Sequence, residues 1–194
     1  MIAHISNPDD PRIDPELQLG GDTRNVVDRY RNWSEQAIRQ DMQARSGGLE
    51  VAIENLERDF NMGTIVRNAN AFNVRRVHVI GRRQWNKRGA MKTDTYLELV
   101  YHATVGEFLA ATRDLTLVAV DNVGMTVSLE VAELPERAVL IFGSEGSGIS
   151  EELRRASQLR VAIPQFGSTR SINVGVASGI LMYKWVERHI LLKK

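Results

Sequence analysis

Apolar positions along this chain follow two rhythms, and the change between them falls near Leu49. Over residues 24–46, Val26, Tyr30, Trp33 and Ala37 recur at steps of three and four. That spacing predicts one amphipathic helix, stopped by Gly47-Gly48. Beyond it, short β-rich runs alternate with helical ones. Residues 49–53 predict a strand and 63–72 a helix with Ile65, Val66 and Ala69 inward. Residues 76–80 predict a second strand. Thr104, with Glu107 three positions on, has capping-box spacing for a helix over 105–113. Residues 115–120 and 138–142 are unbroken apolar runs of the kind buried on both faces of a parallel sheet. A helix over 151–157 capped by Ser150, a strand over 159–163 and a last helix over 173–190 complete the pattern. The last helix carries Val174, Ala177, Leu181 and Trp185 along one side. The alternation predicts an α/β domain over 49–194 with a mostly parallel sheet and helices on both faces.

Residues 1–23 carry Pro8, Pro11, Pro15, Gly20 and Gly21 and few apolar side chains, which predicts a flexible arm ahead of a helical extension at 24–48. The chain has 194 residues, 43% hydrophobic and 25% charged, as expected of a soluble globular protein. It has no cysteine, which excludes disulfides and thiolate chemistry. His4, His78, His102 and His189 lack metal-ligand spacing, so no metal is expected. No apolar run has the length of a membrane span, and no basic n-region leads an apolar core, so a cytoplasmic protein is expected. The net charge is +1, yet residues 75–92 hold Arg75, Arg76, Arg82, Arg83, Lys87, Arg88 and Lys92 with no acid among them. That density points to a polyanion. Trp85 lies within it, and an aromatic ring among cations can stack bases while the charges follow phosphates. Arg82, Arg83, Lys87 and Arg88 are therefore candidate nucleic-acid contacts, against the plainer reading of a solvated loop.

Three polar segments interrupt the apolar runs. Phe142-Gly143-Ser144-Glu145-Gly146-Ser147-Gly148 follows a buried strand. It is not a P-loop, because Ile149 stands where lysine must reach the phosphates. It is not a dinucleotide fingerprint either, because its glycines fall in the order G-x-x-G-x-G. It could be only a tight strand-to-helix turn, but the carboxylate of Glu145 sits where α/β sheets bind ligands. Asn61-Met62-Gly63-Thr64-Ile65-Val66-Arg67 opens a helix. Asn61 suits an N-cap. Arg67 is either a surface arginine or a phosphate clamp, for which its planar fork is suited. Ile163-Pro164 and Ser171-Ile172-Asn173-Val174 lead into the last helix, which Ser171 or Asn173 could cap.

In this order, the three segments resemble the SPOUT methyltransferases, and within them the TrmH/SpoU branch of RNA ribose 2′-O-methyltransferases. The stretches IENLERDFNMGTIVRNANAF, LIFGSEGSGIS and VAIPQFGSTRSINVGVAS carry the resemblance, which spans residues 49–190. Ile172 departs from the usual leucine, and no second RNA-binding domain is recognisable. The resemblance implies an α/β fold ending in a deep trefoil knot that holds S-adenosylmethionine. It places the cofactor against the backbone of Gly143, Ile163 and Ile172, with Asp121 and Asn122 as a third wall. It assigns catalysis to Arg67, supported by Asn61, Glu145, Ser171 and Asn173. It also implies a homodimer packed through the last helix, and a tRNA or rRNA substrate. A base methyltransferase on the same fold and a catalytically silent RNA binder are the alternatives.

Overall fold

The computed structural model describes residues 10–54, 59–81, 84–144 and 146–193. It divides into two compact units, Met1–Arg45 and Ser46–Lys194.

In the first unit the helix expected over 24–46 is interrupted. A 3-10 turn, Asp28–Tyr30, is followed by Asn32 at φ 62°, a left-handed residue that a helix cannot contain. The helical path resumes only after Ser34, whose hydroxyl accepts the Ala37 N–H at 3.2 Å. Helix α2 then runs Glu35–Arg45. Residues 10–23, expected as a flexible arm, carry helix α1, Pro15–Gly20, with Pro15 at its first turn and Asp14 accepting from the Glu16 and Leu17 N–H groups. The Asp14 N–H donates to the Asn32 carbonyl at 2.7 Å, and Ser34 donates to the Arg12 carbonyl at 2.7 Å. The Arg12 guanidinium lies 4.1 Å above the Trp33 ring. These contacts follow from turn chemistry and ion pairs, which hydrophobic spacing does not register.

The second unit is a parallel α/β layer structure. In chain order its elements are β1 Leu49–Glu54, α3 Asp59–Ala71, β2 Arg76–Ile80, β3 Leu99–His102, α4 Val105–Ala111, β4 Thr116–Val120, β5 Val127–Ser128, β6 Ala138–Phe142, α5 Glu151–Ala156, β7 Leu159–Ala162 and α6 Val174–Val186. The strands form one seven-stranded sheet in the order β3-β2-β1-β6-β4-β7-β5. All six strand pairings are parallel. Strands β3 and β5 go beyond the sequence pattern: both lie at sheet edges, and β5 is only two residues long. Every residue of β6 is buried, as its unbroken apolar run predicts. Thr104 caps α4 by accepting the Glu107 N–H at 3.2 Å, while the Glu107 carboxylate accepts the Ala103 N–H at 2.8 Å.

One face of the sheet packs Ala52, Ile80, Leu117, Ala119, Val139 and Ile141 against Phe108 of α4 and Leu153 of α5. The alternate residues, Val51, Ile53, Val79, Val118, Leu140 and Phe142, point to the other face. They too are buried. Helices α3 and α6 pack on each other there, joined where the Asn68 amide donates to the Gly175 carbonyl at 2.9 Å and to Ser178 Oγ at 3.0 Å. A polar chain crosses three strands on the α4 side. Glu50 Oε2 lies 2.7 Å from His78 Nε2, and His78 Nδ1 lies 2.8 Å from His102 Nε2. Glu50, His78 and His102 are all buried. Burial, then the neighbouring His78, lowers the His102 pKa below the ordinary histidine value. Among the described residues, no helix is long and apolar enough to cross a membrane.

Candidate active site

The carboxyl ends of β4, β6 and β7 open into one cavity of about 480 Å³. In a parallel sheet this edge gathers the loops that leave each strand, so residues distant in sequence converge there. Of the expected cofactor residues, Gly143, Ile163, Ile172, Asp121 and Asn122 all line it. So do three of the expected catalytic residues, Asn61, Ser171 and Asn173.

Local geometry explains the glycine-rich loop. Ser144 and Gly148 exchange two backbone hydrogen bonds of 3.0 Å, which closes residues 144–148 into a tight turn. Ser147 Oγ lies 2.7 Å from Ser144 Oγ inside it. A Cβ on Gly143 would stand 2.1 Å from the Gly148 carbonyl carbon, closer than any side chain allows. The turn is tied to the sheet at its far end, where buried Glu54 accepts the Ser150 N–H at 2.8 Å. Glu145 lies outside the described residues, as do Arg82 and Arg83.

Asn61 is not the N-cap that its position suggests. Helix α3 begins at Asp59, so Asn61 sits within its first turn, buried. Its side-chain oxygen instead accepts from the Asn173 amide at 2.9 Å. Asn173 does cap α6, accepting from Gly175 N–H at 2.8 Å and Val176 N–H at 3.2 Å. One side chain thus starts α6 and clasps the first segment to the third. Asn122 makes the corresponding tie on the opposite wall, donating from its amide to the Arg170 carbonyl.

Arg67 lies outside the cavity lining. It is exposed on α3, and its side chain makes no hydrogen bond or ion pair with any described residue. Lys87 and Arg88 occupy a 3-10 turn, Lys87–Ala90, that abuts the start of α3. A Cβ on Gly63 would meet the Gly89 carbonyl carbon at 2.5 Å, so Gly63 lets the two backbones touch. The acid-free basic run is less charged in space than in sequence. Asp94 pairs with Lys87 at 2.9 Å and raises its pKa, and Glu98 pairs with Arg76 at 3.0 Å. Arg88 is exposed and has no ion pair among the described residues.

The cavity also holds residues that the sequence reading passed over: Val123, Ser144, Ser147, Gln165 and Arg170. Two of its acceptors, Asp121 Oδ2 and Gln165 Oε1, are buried without a hydrogen-bond partner. Arg154 approaches Asp121 Oδ2 only to 3.7 Å. Unsatisfied buried acceptors are costly and rare; Arg154, whose Nε is also buried without a hydrogen-bond partner, is the charged neighbour of Asp121, and both acceptors belong to residues that line the cavity. A cavity of this size with few fixed polar groups suits a nucleoside-sized molecule.

Comparison with known proteins agrees with this geometry. Residues 48–183 match the SpoU rRNA Methylase family. A tRNA (guanosine(18)-2′-O)-methyltransferase of Escherichia coli is 24% identical over 145 residues, 72% of this chain and 63% of that protein. The match thus spans under two thirds of that relative's length. The corresponding Aquifex aeolicus protein is 25% identical over 153 residues, 76% of this chain and 72% of its own. The crystal structure of an AdoMet-bound rRNA methyltransferase from Sinorhizobium meliloti superposes with TM-score 0.69 at 25% identity, covering 79% of this chain and 60% of that one. With the family match covering most of the chain and all three polar segments gathered on one cavity, the chain belongs to the SpoU rRNA methylase family.

Proposed function

We propose that this protein is an S-adenosylmethionine-dependent methyltransferase acting on ribose 2′-hydroxyls of structured RNA, tRNA or rRNA. The observation that carries the reading is the cavity at the strand ends, which has orphaned acceptors and an exposed arginine on the helix that supplies Asn61. The names of the relatives point the same way: tRNA and rRNA 2′-O-methyltransferases.

The residues present fit the cofactor. The backbone around Gly143, Ile163 and Ile172 would hold its adenine, and Asp121 and Gln165 would accept its donors. Bound there, S-adenosylmethionine supplies an electrophilic methyl group, so the protein's task is positioning. Arg67 holds the phosphate beside the target ribose and offsets charge that builds on the attacking oxygen. A guanidinium keeps its own proton too tightly to serve as a ready base, so the hydroxyl proton would pass to the neighbouring RNA phosphate that Arg67 holds, and from there to solvent. The Asn61–Asn173 clasp fixes the loops around it, Glu145, which lies outside the described residues, is assigned a supporting part by the family resemblance, and Ser171 shapes the place where hydroxyl and methyl meet. Arg82, Arg83, Lys87 and Arg88 attract the RNA backbone.

The same reading includes a deep trefoil knot in the C-terminal part. Supporting it, the loop after β4 is tied to residue 170, and the chain returns to pack α6 on α3. It includes a homodimer through α6, whose Val176, Ile180 and Tyr183 form an exposed stripe at helical spacing. It also places the protein in the cytoplasm, where those RNAs are modified.

The test is incubation of purified protein with methyl-labelled cofactor and cellular RNA, followed by alkaline hydrolysis. Label in alkali-resistant dinucleotides is expected, because a 2′-O-methyl blocks cleavage at its own phosphodiester. Label in mononucleotides would place the methyl on a base. No label would end the enzymatic reading.

A further inference from the structure

The chain has five phenylalanines. Phe108 and Phe142 are sealed in the core, and Phe72 packs edge-on against Tyr183 with ring centroids 6.3 Å apart. The other two are open: Phe166 is 96% exposed and Phe60 is 74% exposed. Single exposed apolar side chains are ordinary. These two share an unusual placement. Each is the chain neighbour of a cavity-lining residue, Phe166 of Gln165 and Phe60 of Asn61.

Their companions are cationic. Phe60 and Arg67 are seven residues apart on α3, two turns, so they stand on one face about 10 Å apart along the axis. Helix α3 runs without a break between them. Phe166 shares its loop with Arg170, which lines the cavity. An aromatic face and a guanidinium together match the two parts of a nucleotide, the base and the phosphate.

We infer that Phe60 and Phe166 are stacking platforms for the bases of the substrate RNA on either side of the cavity mouth, and position the target ribose over it. The inference rests on the RNA reading above. Stacking is sequence-tolerant, so these rings act on affinity and orientation rather than on base identity.

The test uses the full chain and two fluorescein-labelled ten-nucleotide RNAs, oligoadenylate and an abasic ribose-phosphate of the same length. Their charge is equal, so electrostatic attraction cancels in the ratio of affinities. The wild-type protein should prefer the base-bearing RNA by roughly tenfold. Phe60→Ala and Phe166→Ala should each lower that preference roughly threefold, with the affinity for abasic RNA and for S-adenosylmethionine unchanged. Phe166→Trp should retain it. No preference in the wild type, or an undiminished preference in both alanine variants, would overturn the inference. A change in sedimentation coefficient with RNA affinity intact would also overturn it, by showing that the rings contact a second copy of the chain. The two readings fail separately. Base preference without any methyl transfer would sink the enzyme and leave the platforms. Methyl transfer with an unaltered KM for RNA in both variants would sink the platforms alone.

Discussion

Asn173 and Asn61 meet across 112 positions of sequence, and their hydrogen bond turns two plausible caps into one cap and one clasp. Asn61 was legible as a residue of the site but not as a clasp, because the helix starts three residues earlier than an N-cap at 61 would place it. Gly143 was legible as a residue but not in its reason: the sequence suggested a tight turn and a cofactor contact, whereas the structure shows that no Cβ fits against Gly148. Gln165 carries no motif signal of its own, and only the folded loop shows its oxygen turned inward. Two predictions belong here. Arg67→Ala should lower methyl transfer about a hundredfold or more while calorimetry shows unchanged cofactor binding, since the arginine lies outside the cavity. Full activity in the folded variant would remove Arg67 from the mechanism. Gly143→Ala should lower stability by about 1–3 kcal/mol in urea titration, and weaken cofactor binding, because the turn must open to admit the methyl group.

Among the elements, α6 shows how one residue couples stability to chemistry. Asn173→Ala removes its N-cap and should cost about 1 kcal/mol. Asn173→Ser restores a capping oxygen but is too short to reach Asn61. The serine variant should recover the lost stability and not the lost activity. Recovery of both would mean that the clasp plays no part in the reaction. The basic turn makes a second case. Its charge was legible in the sequence, but its partial neutralisation was not, because Asp94 reaches Lys87 from outside the acid-free run. Arg88→Ala should therefore reduce the salt slope of RNA binding by about 0.7–0.9. Lys87→Ala should reduce it less, since Asp94 already holds that charge. Equal reductions would show that the ion pair opens on RNA. Helix α2 was legible only in part, because the left-handed Asn32 breaks the run in a way that apolar spacing cannot register.

For the whole molecule, the parallel sheet was legible because its central strands are unbroken apolar runs, which only a sheet covered on both faces can bury. The edge strands β3 and β5 were not, since half-exposed or two-residue segments carry little pattern. The buried Glu50–His78–His102 chain was likewise invisible, as it depends on the register that sets the three side chains on one face. It gives the fold a pH dependence. Folding lowers the His102 pKa, so the unfolded chain takes up a proton that the folded one resists. Stability should be fully present above the ordinary histidine pKa of about 6.5, and should fall as the pH drops below it. Arg76, Glu98 and Glu107 lie around the pair and modulate the fall. Urea midpoints measured from pH 8 to pH 5 should decline below about 6.5 in the wild type. They should decline less in His102→Gln. Equal declines would place the effect elsewhere.

The central claim, that the three polar segments form one site for ribose methylation, is tested most directly by a map of 2′-O-methylation across cellular RNAs. The map compares cells lacking this protein, cells with the wild type restored and cells with Arg67→Ala restored. The account predicts a discrete ribose methyl that disappears with the protein, returns with the wild type and stays absent with Arg67→Ala. A map that is the same in all three would contradict it.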